Sequence, residues 1–421
     1  MVPAVLRNRT FGLYWFGVVS SQIGTRATSA AYLYQVYALT RSLPITGLVG
    51  LAEGVALLVL SPLGGAFADR VDRRRLLQCA QGVSLTVALA LAILSASGHV
   101  QVWHLLVCVL LITAASTFDA PARQALIPSL VPRAQLAQAF ALLNPSRELA
   151  YLIGPSIAGV LIAVSGPALV YILDAATYAV LIVILFFLRT PPLPADARGA
   201  SLWANIREGA AFVRSRALIV QLISLDLSAT LFGAYTVVLP ALALDVLHVG
   251  PTGYGLLSSA PSAGAVLATY VVLRVVGRSR RLGQVLLLST VGYGVAALVL
   301  AQAPLFAVAL AAGALLGGFD AMATSIRHAA VQLETPDQLR GRVSSIYQMA
   351  SRGGPALGDV NVGLLAGVLG PVGALTVGAL VPIAYASAML LRGGRVRDYR
   401  GAADELEPSP TDAVPGAPPP T

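Results

Sequence analysis

The sequence predicts an all-α membrane protein with about twelve transmembrane helices. Three observations carry that prediction: a shortage of charge, a series of long apolar runs, and arginines confined to alternate connections. Hydrophobic residues make up 57% of the 421 and charged residues 11%, with a mean hydropathy of +0.77. Soluble domains carry about 25% charged residues, so this chain lacks the charge to cover a surface that faces water. Most of its surface must face lipid, whose ~30 Å hydrocarbon core takes roughly 20 apolar residues to cross as a helix.

Apolar stretches of that length run near 11–38, 45–68, 76–97, 101–121, 139–165 and 167–188. A second set follows near 217–246, 252–276, 283–302, 304–326, 343–369 and 371–391. The first stretch is too long for the apolar core of a cleaved signal peptide. Ser165-Gly166-Pro167 and Gly370-Pro371 carry turn chemistry, which sets tight connections after the fifth and eleventh stretches. Cys79 and Cys108 both lie in apolar runs and read as small core residues, not as a disulfide or metal pair.

Arginine placement sets the topology, because loops on the cytoplasmic side are enriched in basic residues. Arg7 and Arg9 precede the first span, and Arg70, Arg73, Arg74 and Arg75 follow the second. Arg123 and Arg133 follow the fourth; Arg189, Arg198, Arg207, Arg214 and Arg216 follow the sixth. Arg274, Arg278, Arg280 and Arg281 follow the eighth, Arg327, Arg340 and Arg342 the tenth, and Arg392, Arg395, Arg397 and Arg400 the twelfth. The opposite loops are nearly bare, with Arg41 the exception. The expectation is a multi-pass protein of the inner (plasma) membrane with both termini cytoplasmic. The same placement accounts for the formal charge of +9 without a nucleic-acid partner.

The chain divides into an N-terminal six-helix bundle (1–188), a cytoplasmic linker (189–216), a C-terminal six-helix bundle (217–392) and a disordered cytoplasmic tail (393–421). Pro191-Pro192-Leu193-Pro194 breaks the helix. Leu202, Trp203, Ile206, Ala210 and Val213 then recur at helical spacing beside Arg207, Glu208, Arg214 and Arg216. That pattern suits either a helix lying on the membrane face or a solvated connector. The tail is rich in Pro, Ala and acidic residues. The halves echo each other: Phe118-Asp119-Ala120 as Phe319-Asp320-Ala321, Pro132 to Leu136 as Pro336 to Leu339, and Gly154-Pro155 as Gly354-Pro355. Parallel repeats of this kind place a substrate site between the halves, near the bilayer midplane.

Gly64-Gly65-Ala66-Phe67-Ala68-Asp69-Arg70-Val71-Asp72-Arg73-Arg74-Arg75 joins spans two and three. It closely resembles the G-x-x-x-D-R-x-G-R-R signature of the major facilitator superfamily. Gly65, Asp69, Arg70, Arg73 and Arg74 match, and Asp72 stands where the family has glycine, which stiffens the turn. The resemblance implies a gate that locks the cytoplasmic side, with Asp119 joining its charge cluster. Gly154-Pro155-Ser156-Ile157-Ala158-Gly159 resembles the superfamily's antiporter signature, with Ala150 and Ala158 replacing two glycines. Gly154, Pro155 and Gly159 are its matching positions; a proline among small residues bends a span and packs it tightly. Arg7-Asn8-Arg9-Thr10-Phe11, Leu39-Thr40-Arg41-Ser42, Asp119-Ala120-Pro121-Ala122-Arg123, Arg340-Gly341-Arg342-Val343 and Glu208-Gly209 look like the enterobactin-exporter and macrolide-efflux subgroup. The resemblance covers all but the tail. It implies two six-helix bundles of the major facilitator fold, a monomer, and export of a small organic molecule (siderophore, drug or metabolite) by proton antiport.

Ionisable residues inside spans cost ~2.5–3.5 kcal/mol on insertion scales, so each is a functional candidate. Gln22, Thr25, Arg26 and Ser29 follow helical spacing and predict one polar face of the first span. Glu53 lies at similar depth in the second, which predicts an Arg26–Glu53 pair, either perturbed by substrate or proton or static. Asp226, with Thr230 and Gly233 on its face, and Asp359, with Arg352 two turns away, are the other deep carboxylates. Asp226, Asp359 and Glu53 are the proton-coupling candidates. Asp174 and Glu148, the latter beside Arg147, read as locally paired. Tyr32, Tyr34 and Tyr37 read as interfacial anchors, with the lining of a cavity as the alternative.

No phosphate-binding G-x-x-x-x-G-K-[ST] loop, zinc motif or nucleophile elbow is present, and His99, His104, His248 and His328 are scattered. The sequence therefore predicts no cofactor, no metal and no catalytic residue. A proton-linked importer or uniporter is the alternative within transport. An intramembrane lipid-modifying enzyme or a non-transporting sensor is the alternative outside it.

Overall fold

A hydrocarbon solvent offers no hydrogen-bond partner to a peptide group, so a spanning chain satisfies its own backbone as helix. The computed structural model describes residues 4–188, 202–279 and 281–401, and shows no strand among them. Helix α1 (Arg9–Thr40) is capped by Asn8, whose side chain accepts from the Thr10 and Phe11 amides, and it stops at Arg41 in the left-handed region (φ 50°). Helix α2 (Leu43–Arg70) follows at once. Asp72 caps α3 (Arg73–Ala96) by accepting from the Arg74 and Arg75 amides, which is what an aspartate supplies in place of the family's glycine. Then come α4 (Val102–Leu130), the short α5 (Leu136–Ala141), α6 (Leu143–Ser165) and α7 (Pro167–Phe187), with Gly166 at φ 77° between the last two.

Helix α8 (Leu202–Ser215) lies in the linker. The next span is broken. It begins as α9 (Ala217–Leu227), passes through a π-helical turn at Ser228–Phe232, and reaches α10 (Leu239–Ala241) with a second π turn at Leu242–Val246. Helices α11 (Gly250–Arg278), α12 (Leu282–Ala301), α13 (Phe306–Leu333) and α14 (Arg340–Arg392) complete the chain. At ~1.5 Å per residue a helix the length of α14 would far exceed a bilayer, and Gly370 (φ 71°, ψ 172°) breaks it into two. Among the described residues, ten helices are long and apolar enough to cross. Among these ten, α14 is counted once although Gly370 divides it, and α1 is not included.

Two departures from the sequence reading concern helix ends. Arg123 and Arg327, expected in loops, lie inside α4 and α13. Residues 393–401 do not begin as a free tail. Val396 is buried, and the Tyr399 carbonyl accepts from the Gly283 amide at 2.9 Å. Residues 189–201 and 402–421, which include Pro191 to Pro194 and most of the tail, lie outside the described residues. Helix α8 docks on α14, where Arg342 pairs with Glu208 at 2.5 Å and Gly209 faces the Arg342 carbonyl.

The helices form two pseudo-symmetric bundles, α1–α7 and α9–α14. They meet along two seams of small residues, α6 against α11 and α2 against α14. A Cβ on Gly159 would stand 2.8 Å from the Gly255 Cα, and one on Gly363 would stand 3.1 Å from the Gly47 Cα. Tyr254 donates to the Ala30 carbonyl at 2.9 Å and Ser156 to Ser259 at 2.8 Å. Beyond these, Arg41 pairs with Asp245 at 2.5 Å, and Tyr37 also donates to Asp245. These inter-bundle hydrogen bonds lie on the Arg41 side. The bundles are sealed there.

Candidate functional site

The polar residues of the spans collect where the seal ends. Arg26 sits near the middle of α1, one turn inward of Ala30, where the seal begins. Its placement depends on the antiporter-like motif. A Cβ on Gly154 would stand 2.6 Å from the Arg26 Cβ and 2.9 Å from the Ala27 amide, so only glycine lets α6 approach α1 this closely. Tyr151, one turn earlier on α6, then meets the arginine. The guanidinium carbon lies 4.0 Å from the centre of its ring, within cation–π range.

The expected Arg26–Glu53 pair is not formed. Among the described residues no carboxylate oxygen comes within 4.0 Å of an Arg26 nitrogen. The reason is competition: Tyr32 donates to Glu53 at 2.6 Å, while Arg26 is taken up by the aromatic face. Tyr32 is buried, so it is a partner of Glu53 and not an interfacial anchor. The predicted polar face of α1 also splits. Gln22 and Arg26 remain half-buried, whereas Thr25 turns to α7 and hydrogen-bonds Tyr178 at 2.9 Å.

In the second bundle, Asp226 is not free. It forms a buried ion pair with Arg327 at 2.7 Å, each side chain 3% exposed, and Arg327 also reaches Asp320 at 3.9 Å and Thr324 at 3.0 Å. Asp226 already has a charge partner, which weakens its candidacy as a proton carrier. Asp359 keeps its candidacy. It accepts from Thr236 at 2.5 Å, and no cation lies within ion-pair distance among the described residues. Arg352, two turns away, is exposed and makes no ion pair with it. Glu53 likewise has a hydroxyl partner and, among the described residues, no cation within ion-pair distance, although Arg26 is within electrostatic range.

The gating residues are only partly in view. The side chains of Gly65, Asp69 and Arg70 lie outside the described residues. Arg73 donates to the Ala125 carbonyl at 3.0 Å and Arg74 to the Phe186 carbonyl at 2.9 Å, bracing the loop on α4 and α7. Among the described residues, Asp119 makes no ion pair with Arg73 or Arg74. It pairs with Arg123 at 2.5 Å and accepts from Gln81 at 2.7 Å, because it sits about three turns inside α4.

Sequence reasoning missed two residues, Arg327 and Asp320, and read a third, Asp174, as locally paired. Arg327 was read as a loop residue because it follows the apolar stretch ending at 326, yet its spacing of seven from Asp320 places both on one helix face. Asp320 was noted only as a repeat of Asp119. Its side chain is 54% exposed in mid-helix, within electrostatic range of Tyr235 of its own bundle and Glu148 of the other, so it faces the space between the bundles. Asp174 is wholly buried at the α1–α7 contact, where Gly24 leaves it room. It has Thr177 as a partner at 3.4 Å and no cation within ion-pair distance among the described residues.

Two pseudo-symmetric helical bundles, sealed on one side and enclosing ionisable groups at mid-depth, define a membrane transporter of the major facilitator type and not an enzyme. The chain belongs to the transmembrane secretion effector family, whose profile matches residues 2–412. The enterobactin exporter EntS of Citrobacter koseri is 28% identical over 369 residues, covering 87% of this chain and 87% of that protein. The enterobactin exporter EntS of Salmonella typhimurium is 27% identical over 369 residues, covering 87% and 88%. Among solved structures, a variant of the nucleoside transporter NupG superposes with a TM-score of 0.73 at 13% identity, covering 91% of this chain and 98% of that one. A bacterial homologue of the human lysosomal transporter Spinster gives 0.72 at 12% identity, covering 97% and 100%. These two likenesses concern the fold alone.

Proposed function

We propose that the protein exports a small organic molecule from the cytoplasm across the inner membrane by proton antiport, working as a monomer through alternating access between two six-helix bundles. The observation that carries this reading is the pairing of a one-sided seal with two carboxylates, Glu53 and Asp359, that sit beside the site with no cation in ion-pair distance among the described residues. A proton is the compensating charge such a group accepts. The enterobactin exporters among its relatives support export and place siderophores on the substrate panel beside drugs and metabolites. The arginine distribution supports cytoplasmic termini, so the sealed Arg41 side is the outer one and the site opens toward the cytoplasm.

The test is proton flux in proteoliposomes carrying an internal pH-sensitive dye, on addition of enterobactin, macrolides and cationic dyes. Substrate-dependent proton movement that is lost in Glu53→Gln or Asp359→Asn, and kept in variants of the loop arginines, is the expected result. Substrate movement without proton flux, unchanged by both substitutions, would leave a uniporter or importer instead.

A further inference from the structure

Within the proposed export function, we infer that Arg26 and Tyr151 form the recognition point for a planar, acidic aromatic group of the substrate. Arg26 is a half-buried cation in the middle of a membrane, and among the described residues it has no carboxylate partner. Such a charge is costly unless something compensates it. Two other arginines inside the spans have a carboxylate: Arg123 has Asp119 at 2.5 Å, and Arg327 has Asp226 at 2.7 Å. At close range Arg26 has the face of Tyr151, which orients the guanidinium but leaves its net charge in place; Glu53 acts on it only from beyond ion-pair distance.

The orientation is built in. Gly154 presses α6 onto α1 at the Arg26 Cβ itself, so arginine and tyrosine keep their spacing as the bundles move. Glu53, the nearest candidate to neutralise Arg26, is held back by Tyr32. The platform lies one turn inside the seal at Ala30, at the closed end of the space that opens toward the arginine-rich face. Tyr235 of the second bundle lies within electrostatic range of Tyr151, so a ring entering here meets aromatic residues from both bundles. A planar guanidinium matches a carboxylate or catecholate with two parallel hydrogen bonds, and the flanking aromatic rings receive a flat substrate group. Asp320 on the opposite wall disfavours a second anionic group at that end and suits a hydrogen-bond donor.

The experiment is saturation-transfer NMR on the full chain in lipid nanodiscs, with salicylate, benzamide and benzylammonium as probes. Salicylate is expected to bind at least tenfold more tightly than either other probe. Arg26→Gln should abolish that preference, Arg26→Lys should retain part of it, and Tyr151→Phe should keep it while Tyr151→Leu weakens it. Comparable binding of benzylammonium, or salicylate binding unchanged in Arg26→Gln, would overturn the inference. If Arg26→Gln does not fold, Arg26→Lys together with Tyr151→Leu decides, since a merely structural arginine gives no difference between acidic and neutral probes. The assay requires no proton gradient. A failure of proton antiport therefore leaves it standing, and a failure here leaves antiport untouched.

Discussion

Asp226 and Arg327 show how strongly the surroundings decide what a charged residue does. Each side chain is 3% exposed, and they meet at 2.7 Å. Removing one partner of a buried pair costs about 3–5 kcal/mol, because the other charge is left uncompensated, whereas replacing both costs much less. Asp226→Asn should therefore destabilise by about 3 kcal/mol. The double variant Asp226→Asn/Arg327→Gln should recover most of that loss in a thermal melt of the purified protein. Near-normal melting of Asp226→Asn with abolished proton flux would instead restore Asp226 as a proton carrier. The sequence exposed Asp226 as a deep carboxylate but hid its partner. A hydropathy pattern ends a span at the first charge, and only the packing of α13 against α9 shows that Arg327 stays inside. Arg26 and Glu53 make the converse case. Their similar depths were legible, but the pairing was not, because it turned on Tyr32 and Tyr151 claiming the two groups first.

The helices themselves were more legible than their partners. Long apolar runs bounded by arginine or by Gly-Pro turns placed every major helix, since length and apolarity are properties of a single segment. The π turns at Ser228–Phe232 and Leu242–Val246 were not legible, because they depend on neighbours filling the widened helix. Small residues at seams occupy a middle ground: the motif was visible, while its contacts were not. Gly154 serves α1 and Gly159 serves α11, so one motif holds a helix of its own bundle and a helix of the other. A Cβ on Gly159 would stand 2.7 Å from the Pro251 carbonyl oxygen and 2.8 Å from the Gly255 Cα. Both are backbone atoms and cannot rotate away. Gly159→Leu should hold the α6–α11 seam apart. A cysteine placed at Ser156, on a Cys79→Ser background, should then react several-fold faster with a membrane-impermeant maleimide added on the Arg41 side. Unchanged labelling would mean that α6 and α11 separate freely without the close glycine contact.

At the scale of the whole molecule, the balance between the two facing states rests on contacts made in only one of them. A contact stabilises a conformation by the difference between its free energies in the two states. The Arg41–Asp245 pair qualifies because its members belong to different bundles and meet only when that side is closed. Tyr37 adds a hydroxyl to the same carboxylate. The arginine that broke the otherwise bare pattern of these loops therefore has a specific partner across the seam. The side chains are 60% and 41% exposed, so the ion pair is worth at most about 1 kcal/mol and is weakened by salt. That corresponds to a shift of about fivefold or less in the ratio of the two states. Arg41→Gln should raise the population open on this side by that order, and the exchange Arg41→Asp/Asp245→Arg should bring most of it back. Spin labels on cysteines at Ser42 and His248, with Cys79 and Cys108 replaced, would report the change as a longer distance component in double electron–electron resonance. High salt should mimic Arg41→Gln in the wild type and do little to the variant. If the distance distribution is the same in all of them, the glycine seams alone hold this side closed, and Arg41 only sets topology.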